Sequence, residues 1–335
     1  MRARLLSALC LSFPIALGAG LPAAARADGD RPTATTVAAA LGFDEAAIGA
    51  AKAGEIVSRP IAESSRSEIG AVVAMIVEAP MARISRHALR AGFAELDPSL
   101  LAHGRIETPA TAASFAGLRL PPAELDRFAR ARAGTDLNLA TEEIAALTTA
   151  AASRPEGAGD VLRELLAARV EAYRQAGRAG PSPPSRAPGG RSNPRRGPPS
   201  ARPAQTVLAR FAPDFHAALG RYPQGVPARF EDRYYWALVD VQDRPTVVLI
   251  HRLVDPAGDV EIVAEQHFYV SQGYNALQIV VGLFPLERGT AVIYTNRTHS
   301  DQAARFGRMA QSIGRRMLVD EVTRFFAAAQ EAVGN

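Results

Sequence analysis

The sequence predicts an α+β fold: an antiparallel meander sheet packed on a long C-terminal helix, with a large helical insertion. Five successive runs between residues 233 and 297 are rich in β-branched and aromatic residues, and short turn sequences separate them. A helical apolar pattern follows over residues 301–332, and further helical patterns fill residues 121–176. With 335 residues, 47% of them hydrophobic, the chain is long enough to bury such a core.

The first 27 residues have the order of a secretory signal peptide. Arg2 and Arg4 precede an apolar run, and Ala25 and Ala27 are the small residues of a cleavage site before Asp28. An uncleaved N-terminal anchor is the alternative. Cleavage removes Cys10, the only cysteine, so we expect a mature protein without disulfides. We therefore expect export to the periplasm or the extracellular space, with no transmembrane segment after cleavage.

The remaining chain divides into five segments. Residues 28–67 form an N-terminal helical segment, and residues 68–120 contain the first strand of the sheet and the helix that follows Pro80. Residues 121–176 are the helical insertion. Residues 177–204, rich in proline, arginine and glycine, are predicted to be a disordered linker. Residues 205–335 contain a short helix, the antiparallel sheet and the C-terminal helix.

The strands of the sheet are predicted at residues 233–240, 246–254, 260–271, 275–285 and 290–297. Several of these runs are apolar at both alternating positions, notably residues 247–250 and 279–281. Because alternate side chains point to opposite faces, we expect both faces of the sheet to be covered.

The distribution of charge argues against a nucleic-acid partner. The formal net charge is +4, but three arginines lie in the first 27 residues and six in residues 178–204, where no acidic residue occurs. The rest of the chain carries 29 basic and 34 acidic residues, so its folded parts are acidic.

No motif of an established enzyme class or cofactor site is present. The sequence lacks a Gly-x-Ser-x-Gly elbow, a phosphate-binding glycine loop and a His-Glu-x-x-His motif, and its six histidines have no metal-ligand spacing. We predict no catalytic residue, no metal and no cofactor.

A set of polar residues interrupts the apolar strands and forms the candidate binding site. Strand alternation places Glu265, His267 and Tyr269 on one face, and either Arg252 or Arg297 could pair with Glu265. Such groups either orient the head of an amphipathic ligand or form a satisfied structural network. Ala310 joins the set because small residues in the C-terminal helix could leave space for a ligand. The candidates are His251, Arg252, Glu265, His267, Tyr269, Tyr274, Tyr294, Arg297 and Ala310.

The segment EIGAVVAMIVEAP with its following helix, together with residues 233–332, resembles the START/Bet v 1-like (SRPBCC) helix-grip superfamily. The runs FYVSQGYNALQIVVGLFP and GTAVIYTNRTHSDQAARFGRMAQSIGRR also resemble exported bacterial proteins of unknown function. The superfamily resemblance implies a cavity between the sheet and the C-terminal helix that accepts lipids or other apolar molecules. Its members bind or transfer such molecules, and only some are enzymes.

Two functions follow as expectations. In the first, the exported protein binds a lipid or another apolar molecule without catalysis. In the alternative, the core is solid and the protein is a structural or interaction module with a cell-envelope partner. A third possibility, an enzyme with His267 or His251 as general base, has no supporting geometry in the sequence.

Overall fold

A computed structural model describes most of the chain after residue 32. The described residues are 33–63, 65, 67–90, 99–132, 134, 137–154, 157–185, 202–256, 260–300, 312, 314–320, 322–324 and 326–327. Among the predicted site residues, Ala310 lies outside them.

An eight-stranded antiparallel sheet organises these residues. Its strands are β1 (Val57–Pro60), β2 (Glu68–Val77), β3 (Leu100–Ile106), β4 (Glu231–Asp240), β5 (Pro245–Asp255), β6 (Glu261–Val270), β7 (Ala276–Pro285) and β8 (Thr290–His299). The spatial order is β1-β2-β8-β7-β6-β5-β4-β3. The last five strands form a meander, because short connections allow only neighbouring antiparallel pairs. The N-terminal strands β1 and β2 extend it beyond β8, and β3 extends it beyond β4.

The helices are named α1 to α8 in chain order. They are α1 (Ala34–Ala40), α2 (Glu45–Lys52), α3 (Met81–Arg90), α4 (Pro122–Ala129), α5 (Thr141–Ser153), α6 (Gly157–Ala176), α7 (Arg202–Phe211) and α8 (Pro213–Arg221). Short 3₁₀ turns occupy Ala112–Phe115 and Gly177–Ala179. Local chemistry explains several boundaries: Asp44 caps α2 by accepting the amide of Ala47 at 2.8 Å, and Pro213 begins α8, where no amide hydrogen is needed.

Both faces of the sheet are covered, as the doubly apolar strands predict. The front face, which carries Leu249, Ala264 and Ile293, packs against α6, α8 and α1 respectively. The back face carries Val73, Ile250 and other apolar residues, and the buried Leu318, Val322 and Phe326 pack there.

The predicted layout of a sheet on a long C-terminal helix is wrong. The large helical part lies in the middle of the chain, in α4 to α6, rather than at its C-terminal end. Its longest helix, α6, buries Leu162, Leu166, Val170 and Tyr173 against the front face. The segment expected to be an insertion therefore provides a main layer of the fold, because it carries the apolar surface that the strands require. Strand β1 follows the two N-terminal helices and is not predicted by the sequence pattern.

Candidate functional site

The sheet separates the predicted site residues into two groups instead of bringing them together. Arg252, Glu265, His267, Tyr274 and Tyr294 lie on or against the back face, where they contact one another or its apolar core. The other described candidates, His251, Tyr269 and Arg297, lie on the front face.

The predicted alternation is wrong for Tyr269 because of a β-bulge. Ile250 pairs with His267, but the preceding residue of β5, Leu249, pairs with Tyr269, so Phe268 is an extra residue in β6. A bulge of this kind reverses the side-chain alternation beyond it. Phe268 stacks on Tyr173 of α6 with ring centroids 4.0 Å apart, and Tyr269 joins the same front-face cluster.

On the back face, the polar candidates are paired with each other. Arg252 donates from Nε to Oε1 of Glu265 at 2.8 Å, in a pair that is almost completely buried. Burial raises the pKa of Glu265, and the neighbouring Arg252 opposes that shift. Nδ1 of His267 lies 2.7 Å from the Tyr274 hydroxyl, and burial lowers the pKa of His267 to about 3. His267 is therefore neutral near pH 7. This geometry matches the structural-network interpretation.

On the front face, His251 lies in a filled aromatic cluster under α6. Its Nδ1 lies 3.0 Å from the hydroxyl of Tyr173, and its Nε2 lies 3.1 Å from Oδ1 of Asp232. The ring centroids of Tyr222 and the imidazole lie 4.2 Å apart. Tyr173 is not among the predicted site residues, although its three-residue spacing from Val170 places it on the apolar stripe of α6.

An apolar pocket opens on the front face, between α1, α7 and strands β6 to β8. The space along its wall amounts to about 740 Å³, a figure that includes open solvent at the mouth. Gly282 allows the ring of Phe284 to pack closely against the sheet, because a Cβ atom at position 282 would lie 2.8 Å from that ring. The wall consists of Val37, Leu41, Val207, Leu208, Phe211, Ala212, Val260, Ile262, Val280, Gly282, Phe284 and Ile293, and the polar members are Gln278, Thr295 and Arg297.

Arg297 is the charged residue of the pocket wall. Its side chain is buried, and Nη1 donates to the carboxylate of Glu68 and, at 3.2 Å, to the carbonyl of Ala62. Within the described part of the chain, Nε and Nη2 have no hydrogen-bond partner. On the sheet, Arg297 lies between Gly70 and Gln278, whose side chain also lines the pocket. The sequence predicts Arg297 as a site residue but does not predict Glu68 as its partner.

The described residues contain no group of three or more histidine, cysteine, aspartate or glutamate residues arranged to hold a metal ion. Nor do they include a helix with the length and apolar character needed to cross a membrane.

No family model, curated protein or solved structure matches the chain. The resemblance to helix-grip proteins therefore stays a prediction, and the function is inferred from the geometry of the site.

Proposed function

We propose that the chain is an exported, non-catalytic protein that binds a lipid or another apolar molecule in the pocket between α1, α7 and the front face. The observation that carries this proposal is the composition of the pocket wall, which is almost entirely apolar apart from Gln278, Thr295 and Arg297. Small-molecule sites typically combine such an apolar wall with a few polar groups. The pocket lies on the front face, whereas the helix-grip resemblance implies a cavity beneath a C-terminal helix.

Helix α7 of the pocket provides a direct test of binding. Val207 of α7 lines the pocket, whereas its neighbour Thr206 is exposed. Val207→Glu places a carboxylate in the apolar wall, where it is poorly solvated, and Thr206→Glu adds the same charge outside it. The probe is N-phenylnaphthylamine, whose fluorescence rises in apolar surroundings.

We expect saturable binding of about one probe per chain to the wild type and to Thr206→Glu. Val207→Glu should weaken that binding at least tenfold, which corresponds to about 1.4 kcal/mol. Circular dichroism verifies that both variants are folded. Equal binding by the two variants, or no saturable binding to the wild type, would overturn the proposal and favour an envelope interaction module.

Export is tested separately by the N-terminus of the protein. The positive residues, the apolar run and the small residues before Asp28 support cleavage after Ala27. When the full chain is expressed in a bacterial host, we expect an intact mass that begins at Asp28 in the periplasmic fraction. A product that keeps residues 1–27 and stays in the membrane fraction would contradict export as a cleaved protein.

A further inference from the structure

We propose that Arg297 binds the carboxyl oxygens at the head of a single-chain acyl amphiphile whose chain lies in the apolar pocket. This inference rests on the proposed binding function and adds the chemical class of the ligand. The head group is either a free carboxylate or an ester, since both present acceptor oxygens at the end of an acyl chain.

The geometry of the Arg297 guanidinium indicates which of its nitrogens a ligand would contact. Its Nη1 is occupied by Glu68 and by the carbonyl of Ala62. The two nitrogens without a partner in the described residues, Nε and Nη2, form one complete edge of the planar group. Two parallel N–H groups along one edge match the two oxygens of a carboxyl group.

The guanidinium of Arg297 is also buried. Arg297 is 3% exposed and its Nε and Nη2 atoms are buried, so a head group contacts them only when the surrounding pocket wall moves aside. Leaving buried donors unsatisfied is unfavourable, and a ligand that supplies acceptor oxygens removes that cost. A head group that only donates hydrogen bonds, or that carries a positive charge, offers no such gain.

The charge of Arg297 determines which head groups suit the site. Glu68 is completely buried and forms an ion pair with Arg297, so the positive charge of the guanidinium is already balanced. The free edge therefore requires acceptor oxygens rather than a full negative charge. Gln278, beside Arg297 in the ladder, carries a further amide donor in the pocket wall.

The shape of the pocket determines the direction of the bound acyl chain. The pocket continues from Arg297 along the front face past Val280 and Ile293 towards Phe284, and Val37 and Phe211 cover it from α1 and α7. An alkyl chain has the apolar surface that such a wall accepts. One polar end and one long apolar wall thus specify an amphiphile rather than a wholly apolar molecule.

The test is displacement of N-phenylnaphthylamine from the full chain by three twelve-carbon molecules, each kept below its micelle concentration or solubility limit. They are dodecanoate, methyl dodecanoate and dodecyltrimethylammonium, which share a chain length and differ in the head. We expect at least one of the two carboxyl compounds to bind ten or more times tighter than the ammonium compound. A tenfold preference for dodecanoate over the ester identifies a free fatty acid, and comparable affinities identify an acyl ester; both results support the inference.

A pair of double variants locates the effect. Glu68→Gln with Arg297→Gln replaces the buried ion pair by two neutral amides, which avoids an isolated buried charge. The preference for carboxyl over ammonium heads should then fall to below about threefold. Glu63→Gln with Arg315→Gln makes the same exchange in a pair 2.8 Å apart whose residues do not line the pocket, and it should preserve the preference.

The failures of the two proposals are distinguishable. If all three compounds displace the probe equally from the wild type, binding in the pocket stands and the role of Arg297 is overturned. The role of Arg297 is also overturned if the Glu68/Arg297 variant keeps the full preference while remaining folded. If neither the probe nor any compound binds, the binding function itself fails.

Discussion

The hydroxyl of Tyr173 lies 3.0 Å from Nδ1 of His251 and donates to Oε1 of Gln266 at 3.2 Å, so one side chain of α6 connects two neighbouring strands. The tyrosine is completely buried, and burial raises the pKa of its phenol. The hydroxyl therefore remains protonated at neutral pH and available as a hydrogen-bond donor. This contact joins the middle helical layer to β5 and β6.

Removing that hydroxyl should destabilise the protein. Tyr173→Phe keeps the stacking on Phe268 but leaves the buried Nδ1 of His251 without its partner. We expect a loss of about 1–3 kcal/mol in the free energy of unfolding. The measurement is urea denaturation followed by circular dichroism.

Tyr269 provides the matched control. Its hydroxyl is buried in the same cluster, but no hydrogen bond to it is found among the residues that the structure describes. Tyr269→Phe should therefore be neutral, or stabilising by up to about 1 kcal/mol, because a buried unsatisfied hydroxyl is itself unfavourable. Equal losses for the two variants would show that aromatic packing, and not the Tyr173 hydrogen bonds, determines the result.

The buried pair of Arg252 and Glu265 should behave non-additively. Arg252→Met or Glu265→Leu alone leaves one buried charge uncompensated, and we expect each to cost about 3–5 kcal/mol. The double variant removes both charges and should cost clearly less than either single change, because similar apolar volume replaces the pair. Chemical denaturation of the four proteins provides the double-mutant cycle. Additive losses would show that the two side chains act independently.

The strands were predictable from local sequence, and the layers around them were not. Runs such as residues 246–254 are rich in β-branched and apolar residues and are long enough to indicate strands. Because apolar residues occupy both alternating positions, these runs also indicate that both faces of the sheet are covered. The source of the cover is a tertiary property: the apolar stripe of α6 is compatible with an insertion and with a main layer. Only packing distinguishes the two.

The site was less predictable for similar reasons. A single extra residue, Phe268, moves Tyr269 to the front face, and no turn or glycine signal in β6 marks the bulge. Arg297 pairs with Glu68, which is 229 residues away in the sequence, because β2 joins β8 in the sheet. The sequence offered Glu265 as a nearer partner. The order of the strands in the sheet determines which distant residues form ion pairs, and the local sequence pattern does not indicate that order.

The first turn of α5 should depend on Glu143. Its Oε2 accepts the backbone amide of Ala140 at 2.7 Å and the Nη2 of buried Arg169 at 2.5 Å. Glu143→Ala removes a helix cap and leaves a buried guanidinium without its carboxylate, so we expect a loss of about 3–5 kcal/mol. The exposed neighbour Glu142 is the control, and Glu142→Ala should cost less than about 1 kcal/mol. Thermal and urea unfolding measure both, and similar small losses would contradict the assigned role.

The buried imidazole of His267 should make stability depend on pH. Burial lowers its pKa to about 3 in the folded protein, against an ordinary value of 6.5. Between these values the unfolded chain binds more protons than the folded chain, so the free energy of unfolding falls as pH falls below 6.5. From pH 7.5 to pH 5, His267 alone should remove about 2 kcal/mol.

His267→Gln isolates this contribution, because the glutamine amide does not titrate. The amide can also form a hydrogen bond with the Tyr274 hydroxyl, which lies 2.7 Å from Nδ1 of His267 in the native protein. Other buried groups titrate in both proteins; the raised pKa of Glu265, for example, acts in the opposite direction as pH falls. The informative quantity is therefore the difference in unfolding free energy between wild type and variant, measured by urea denaturation at pH 7.5, 6 and 5. That difference should shift by about 2 kcal/mol in favour of the variant as pH falls. A constant difference would mean that His267 takes up a proton in the folded protein as readily as in the unfolded chain, and that its site is open to water.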